Sequence, residues 1–222
     1  MANSTGAPYD DFGEELERAF DPSLSLLHRR VPKAQLVTYN PRKHISQLQI
    51  THPRTGAIEL DRFTVVLSTD GACRGNGTAS ARAAWGVYFG PGSRFNAGGL
   101  LDPSLPQTSV RAEIEALAQA LRIIRRHLSD DLEMQEIRIR TDSEFLVKAM
   151  SEWMAGWRAS GGRNARGQPV KHYAVLKALH DQLDEMTYGD DGGRDFRFWY
   201  VPREENREAD ALANRALDDA FM

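Results

Sequence analysis

Residues 63–77 read FTVVLSTDGACRGNG. Phe63 to Leu67 are aromatic, β-branched or aliphatic, the composition of a strand that packs on a pleated surface. Asp70 comes at the end of this apolar-rich stretch, and glycines at 71, 75 and 77 then mark a turn. The stretch therefore predicts a strand over 63–70 that carries a lone carboxylate to the edge of a sheet. What that carboxylate does depends on what the rest of the chain brings beside it.

Outward from there, AAWGVYFG (83–90) reads as a second strand and RFNAGGL (94–100) as a weaker third, spaced for an antiparallel meander. Val110, Ile114, Leu117, Leu121, Ile124 and Leu128 recur every three or four residues, the apolar stripe of a helix about 20 residues long. EIRIRTD (136–142) is a strand that again ends on an acid, Asp142. A helix from Ser143 follows, with Leu146, Ala149, Met150, Trp153 and Trp157 on one face. After the Gly/Arg-rich ASGGRNARGQP (159–169) comes a helix striped by Val175, Leu179, Leu183 and Met186, then a turn at YGDDGGR. The strand DFRFWYVP (195–202) leads to a last helix capped by Asn206, with Ala209, Leu212, Ala213, Ala216 and Leu217 on its buried side.

The order β-β-β-α-β-α-α-β-α predicts an α/β fold: one mixed five-stranded sheet, an antiparallel meander plus parallel strands, flanked by helices. Residues 59–222 would form this domain. Residues 1–58 read differently: prolines at 8, 22, 32, 41 and 53 and segregated charge predict a loosely structured, partly basic extension, with LQI (48–50) as a candidate short strand.

The chain has 222 residues, 41% hydrophobic and 27% charged, which suits one globular domain with an appendage. The single cysteine, Cys73, excludes an intrachain disulfide and points to a reducing, intracellular setting, nucleus or cytoplasm. No run approaches the roughly 20 apolar residues that span a bilayer, and the acidic N-terminus lacks the apolar core of a secretory signal. Net charge is −3, but in blocks. Residues 1–21 hold six acids, Asp10, Asp11, Glu14, Glu15, Glu17 and Asp21, against Arg18. Residues 22–58 hold no acid and six cations, Arg29, Arg30, Lys33, Arg42, Lys43 and Arg54. A second acid-free window between Glu152 and Asp181 holds Arg158, Arg163, Arg166, Lys171 and Lys177. Basic segments in a mildly acidic chain point to a polyanionic partner, although either block alone reads equally well as solvated surface.

Four acids share a placement. Asp70 and Asp142 end strands, Glu113 lies in the first turn of the long helix, and Asp210 lies early in the last one. Singly, each has a structural explanation: the helix dipole favours acids in a first turn, and Asp-Gly is a common turn pair. If the 63–70 and 136–142 strands are neighbours, however, Asp70 and Asp142 emerge side by side. Two unit charges 4 Å apart repel by about 4 kcal/mol even at an effective dielectric near 20. Such a cluster needs a bound cation or a raised pKa, and an all-oxygen set suits Mg²⁺ or Mn²⁺ rather than zinc. The six histidines show no paired ligand spacing.

Asp70-Gly-Ala-Cys-Arg-Gly-Asn-Gly, Arg111-Ala-Glu113, Thr141-Asp142-Ser143 and Ala209-Asp210-Ala-Leu-Ala together resemble the type I ribonucleases H, over roughly residues 63–217. The ordered set of four is a strong signal where no single motif would be. The helix from Ser143 and the basic stretch after it are similar to the family's helix with two tryptophans followed by the basic protrusion that holds the hybrid. The resemblance implies that Asp70 bridges two Mg²⁺ ions, with Mn²⁺ able to substitute, and that Glu113, Asp142 and Asp210 are the remaining ligands. It implies endonucleolytic hydrolysis of the RNA strand of an RNA/DNA hybrid, leaving 5′-phosphate and 3′-hydroxyl ends. It sets Cys73 and Asn76 in the minor groove, Thr108 on a DNA phosphate, and Trp153, Trp157, Arg158 and Lys171 along the DNA-strand channel. The plainer reading of the two tryptophans is core on a helix stripe. A monomer that needs no membrane is the default.

The sequence departs from the family at four points. The loop before the last helix is a short VPREEN without the histidine that family members commonly carry there, leaving Arg203 or Glu204 to replace it. Ser109-Val110 replaces an Asn-rich stretch, Glu144 stands where Gln is frequent, and His172 stands where Asn is typical. These changes bear on hybrid affinity more than on metal chemistry. The competing readings are a ribonuclease-H-like nucleic-acid-binding module with weak or no turnover, and a superfamily nuclease acting on another nucleic acid.

Overall fold

The computed structural model describes residues 18–189 and 193–220. The acidic run through Glu17 and the middle of the turn expected at YGDDGGR lie outside the described residues.

The opening stretch forms β4 (Thr64–Arg74), the centre of the sheet. On one side β4 pairs antiparallel with β5 (Arg82–Tyr88), which pairs antiparallel with β6 (Ala97–Leu100). On the other it pairs parallel with β7 (Glu136–Thr141), which pairs parallel with β8 (Asp195–Tyr200). This is the predicted meander plus parallel strands, in the order β6-β5-β4-β7-β8. The helices are α1 (Ser109–His127), α2 (Glu144–Lys148), α3 (Met154–Ala159), α4 (Tyr173–Tyr188) and α5 (Arg207–Asp219), with one π turn (Ala149–Trp153) joining α2 to α3. Among the described residues no helix is long and apolar enough to cross a membrane.

β4 is apolar at both parities because both of its faces are covered. Val65 and Leu67 enter the main core with Ile114, Leu117, Leu121, Ile137 and Phe198. Val66 points the other way, into a second core with Phe20, Val31, Leu36 and Leu48.

That second core corrects the expectation of a loosely structured segment over residues 1–58, as far as those residues are described. β1 (Val37–Asn40) and β3 (Ile58–Leu60) pair antiparallel with β2 (Ile45–Thr51), and β2 reaches β4 at Ser46 opposite Val66. The candidate strand at LQI is the middle of β2. Residues 18–20 run beside β8 through a bridge from Ala19 to Phe198. Among the described residues the sheet thus has eight strands: the five expected of the domain, β2 that the LQI stretch foreshadowed, and β1 and β3 besides. Pro22, Pro41 and Pro53 sit in turns between these pieces, where a missing N–H breaks no ladder. Lys43 pairs with Asp131 (3.1 Å) and Glu133 (2.9 Å), and Lys33 pairs with Glu205, so part of the basic block is engaged by the domain itself.

Two close approaches aim the remaining helices. A Cβ at Gly71 would stand 2.2 Å from the backbone nitrogen of Glu113, so only glycine lets α1 cross β4 there. A Cβ at Gly86 would stand 2.2 Å from the carbonyl oxygen of Ala209, which lets α5 lie directly on β5. Gly86 pairs with Asp70 and Gly71 with Trp85. Cross-strand partners share a face, so α5 and the Asp70 side chain lie on one side of the sheet and α1 on the other.

Candidate active site

Asp70 is not the last residue of its strand. β4 continues to Arg74, still paired with β5, and the turn comes after it. What ends near Asp70 is the parallel half of the sheet: β7 pairs only with Thr64 to Ser68, leaving the far side of β4 open. Into this gap come Asp142, just past β7, Glu113 from α1 and Asp210 from α5. All four predicted carboxylates line one cavity of about 340 Å³. Glu113 is the fifth residue of α1 and not in its first turn, so the dipole argument for an acid there falls away.

Each of three carboxylates is held by one donor. The Gly71 N–H donates to Asp70 Oδ1 (2.7 Å), the Ser143 hydroxyl to Glu113 Oε2 (2.5 Å) and the Asn206 amide to Asp142 Oδ1 (2.9 Å). Asp210 accepts from Arg203 (3.2 Å). Asp70 is 7% exposed. Burial, then the charge of Asp142, push its pKa up to about 7, with Asp210 and Glu113 adding to the rise and the Gly71 N–H opposing it. Burial raises Glu113 as well, and the Asp142 charge adds to this, against the Ser143 hydrogen bond.

Ser109 lines both this cavity and a larger groove of about 1060 Å³. Asn76, Thr108, Trp153, Trp157 and Lys171 line the groove, while Cys73 lines the carboxylate cavity, its thiol 3.4 Å from the Gln107 carbonyl. Thr108 is also the N-cap of α1, accepting from the Arg111 N–H, so part of its role is structural. The tryptophans differ. At the end of the π turn Met154 takes the buried place expected for Trp153. Trp153 is left 37% exposed on the groove, and Trp157, at 8%, belongs to the core although it also lines the groove. Arg158 does not reach the groove. Its guanidinium turns back onto Asp181 (2.6 Å) and Asp184 (3.1 Å), which corrects its placement in the channel. Arg203 and Glu204 are exposed beside Asp210.

The sequence model of the RNase H family matches residues 62–218 of this chain. The chain belongs to the RNase H family. It is 34% identical to Ribonuclease H1 of Rattus norvegicus over 154 residues, 68% of this chain and 49% of that protein. It thus spans about half the length of this curated relative. Ribonuclease H of Paracidovorax citrulli is 33% identical over 159 residues, 71% of this chain and 96% of that one. Among solved structures, LC11-RNase H1 in complex with an RNA/DNA hybrid is 26% identical with a TM-score of 0.50, covering 71% of this chain and 99% of that one. Members of the RNase H family depend on divalent metal ions as a rule.

The donor set fits such an ion. It is four carboxylates without an imidazole, two of them with raised pKa values, faced by Arg74 and Arg203, and the Cys73 thiol on the same wall is taken by the Gln107 carbonyl. Among the described residues no three His, Cys, Asp or Glu side chains converge as a ready-made metal cage. The acids line the cavity wall without meeting at one point, as mutually repelling charges do. Ser143 and Asn206 were outside the predicted site. Ser143 was legible as part of the Thr141-Asp142-Ser143 motif and as the start of a helix, which it also is, accepting from the Leu146 N–H. Asn206 was legible as a cap, yet its side chain makes no capping bond.

Proposed function

We propose that the chain is a metal-dependent endonuclease that hydrolyses the RNA strand of RNA/DNA hybrids, leaving 5′-phosphate and 3′-hydroxyl ends. It would act as an intracellular monomer, with residues 59–222 as the catalytic domain. The observation that carries this reading is the cavity of four carboxylates opening at Ser109 into a tryptophan-walled groove.

Asp70, Glu113, Asp142 and Asp210 would hold the metal, two Mg²⁺ ions or Mn²⁺ in their place. When bound, such ions supply an activated water and the charge that stabilises the leaving oxygen. The chain's own residues prepare for this. Asp70 would shed the proton that its raised pKa retains near neutral pH, which couples metal uptake to proton release. Gly71, Ser143 and Asn206 each fix one oxygen of a carboxylate. Trp153 offers an indole face to a sugar or base, and Lys171 offers a charge to a phosphate. Strand choice rests on the 2′-hydroxyl, which only the RNA strand carries.

The test is cleavage of an end-labelled RNA strand in a hybrid with Mg²⁺, Mn²⁺ or EDTA, beside single-stranded RNA and both homoduplexes. Cutting of the hybrid alone, lost in EDTA and in Asp70→Asn, is the expected result. Hybrid that is bound but never cut would make the chain a binding module. Equal cutting of another nucleic acid would make it a different nuclease.

A further inference from the structure

Asn206 is 1% exposed, and its amide spans the two halves of the carboxylate cavity. Nδ2 has two hydrogens, and both are used: one goes to the Thr69 carbonyl (3.1 Å), the other to Asp142 Oδ1 (2.9 Å). Thr69 precedes Asp70 on β4, and Asp142 follows β7. The two strands are no longer paired at this level, since their ladder stops at Ser68 opposite Arg140. Asn206 takes over where the ladder stops. Its orientation is fixed by chemistry: turned over, the amide would set its oxygen against a carbonyl and a carboxylate, three acceptors together.

We infer that Asn206 is a positioning residue for metal binding, a bridge that holds the Asp142 carboxylate at a set place relative to Asp70 against their mutual repulsion. The inference rests on the metal-dependent reading of the four carboxylates. The residue acts from the loop that lacks the family's histidine. Arg203 to Glu205 form a single 3-10 turn, Arg140 donates to the Glu205 carbonyl (2.9 Å), and Lys33 from the N-terminal segment pairs with Glu205. The residue before Asn206 is therefore tied down from β7 and from the N-terminal segment at once. Outer partners that orient metal-binding side chains are worth about 10–100-fold in metal affinity.

The experiment is calorimetric titration of the full chain with Mn²⁺, without nucleic acid, for wild type, Asn206→Ala, Asn206→Asp and Leu48→Ala. Leu48 is fully buried in the second core, so Leu48→Ala lowers thermal stability without touching the cavity. The expected result is an affinity loss of about 10–100-fold in Asn206→Ala. Asn206→Asp, nearly the same shape but with an acceptor in place of the donor, should lose at least as much, and Leu48→Ala should keep wild-type affinity. Asn206→Asp carries the test if the alanine variant does not fold. Unchanged affinity in a folded Asn206 variant, or an equal loss in Leu48→Ala, would overturn the inference. Wild-type protein that binds Mn²⁺ but cuts no hybrid would overturn the proposed reaction and leave Asn206 in its role; wild-type protein that binds no Mn²⁺ would overturn both.

Discussion

Two regions of this molecule gather acids, and they solve the resulting repulsion in opposite ways. Toward the C-terminal end of α4, Asp184 is met by two guanidinium groups and an imidazole: the buried Arg18 at 2.9 Å, Arg158 at 3.1 Å and His180 at 3.2 Å. Asp181 beside it takes Arg158 at 2.6 Å and Lys177 at 2.7 Å. Although burial works the other way, the hydrogen bond and charge of His180, with Arg18, hold Asp184 below the usual carboxylate range. In the cavity between β4 and β7, Asp70 meets other acids and a backbone N–H, and it is pushed up to about 7. The protein places its arginines on the first cluster and withholds them from the interior of the second. A cluster with its cations built in is architecture; one without them is a site that takes a cation from solution.

The same substitution should then have opposite signs in the two places. Asp184→Asn leaves the buried Arg18 guanidinium facing a neutral amide, and unpairing a buried charge costs about 3–5 kcal/mol. Thermal unfolding should show a large fall in Tm at neutral pH. The deficit should shrink in acid, because a carboxylate with a lowered pKa contributes stability above its unfolded value and loses it as pH falls through the folded one. An Asp184→Asn protein as stable as wild type would mean the ion pairs around α4 are ornamental.

Asp70→Asn should instead raise the stability of the metal-free protein, on the order of 2–4 kcal/mol at neutral pH from the size of its pKa shift. The sign follows from linkage. A carboxyl whose folded value lies above its unfolded value gives stability that is complete below about pH 4 and drains away as pH rises toward 7. The gap between Asp70→Asn and wild type should accordingly be near zero at pH 4 and open across that window. A gap that does not change with pH would place the Asp70 charge in solvent. Divalent metal closes the same gap from the other direction. At 100 times its dissociation constant, Mg²⁺ should stabilise wild type by about 2.7 kcal/mol and leave Asp70→Asn nearly unmoved, a contrast that a pair of melting curves resolves.

That one cluster is legible in the sequence and the other hidden is a matter of periodicity and distance. The order of elements, the strands leading to Asp70 and Asp142 and the stripe of α1 are local patterns, and the resemblance to the type I ribonucleases H is what joined the four carboxylates into one set. Arg158 was misplaced because its partners lie 23 and 26 residues on, across a loop, and a basic residue beside a basic loop looks like a phosphate contact. Arg18 pairs with a residue 166 positions away. The second core was hidden by prolines that read as loose structure, of which Pro22, Pro41 and Pro53 sit in turns. The signal for it was present in VVLS: Val66 needs a cover that the 63–217 pattern does not supply. Gly71 looked like a turn glycine and is a packing glycine, a distinction only the crossing of α1 makes visible.

The smallest effect tests the border between the two solutions. Among the described residues, Arg203 is the one arginine that donates to a cavity carboxylate, at 3.2 Å from Asp210, and its side chain is 79% exposed. Exposed pairs are worth about 0–1 kcal/mol, so Arg203→Ala should leave Tm within a degree or two and change turnover only a few-fold. Metal affinity should rise slightly at low salt, since a positive charge leaves the cavity rim, and the rise should fade as salt screens it. If turnover instead drops by orders of magnitude while Mn²⁺ affinity holds, Arg203 is acting on the substrate in place of the missing loop histidine. The cavity would then no longer be a site without cations of its own, and the contrast with Asp184 would narrow to a difference of degree.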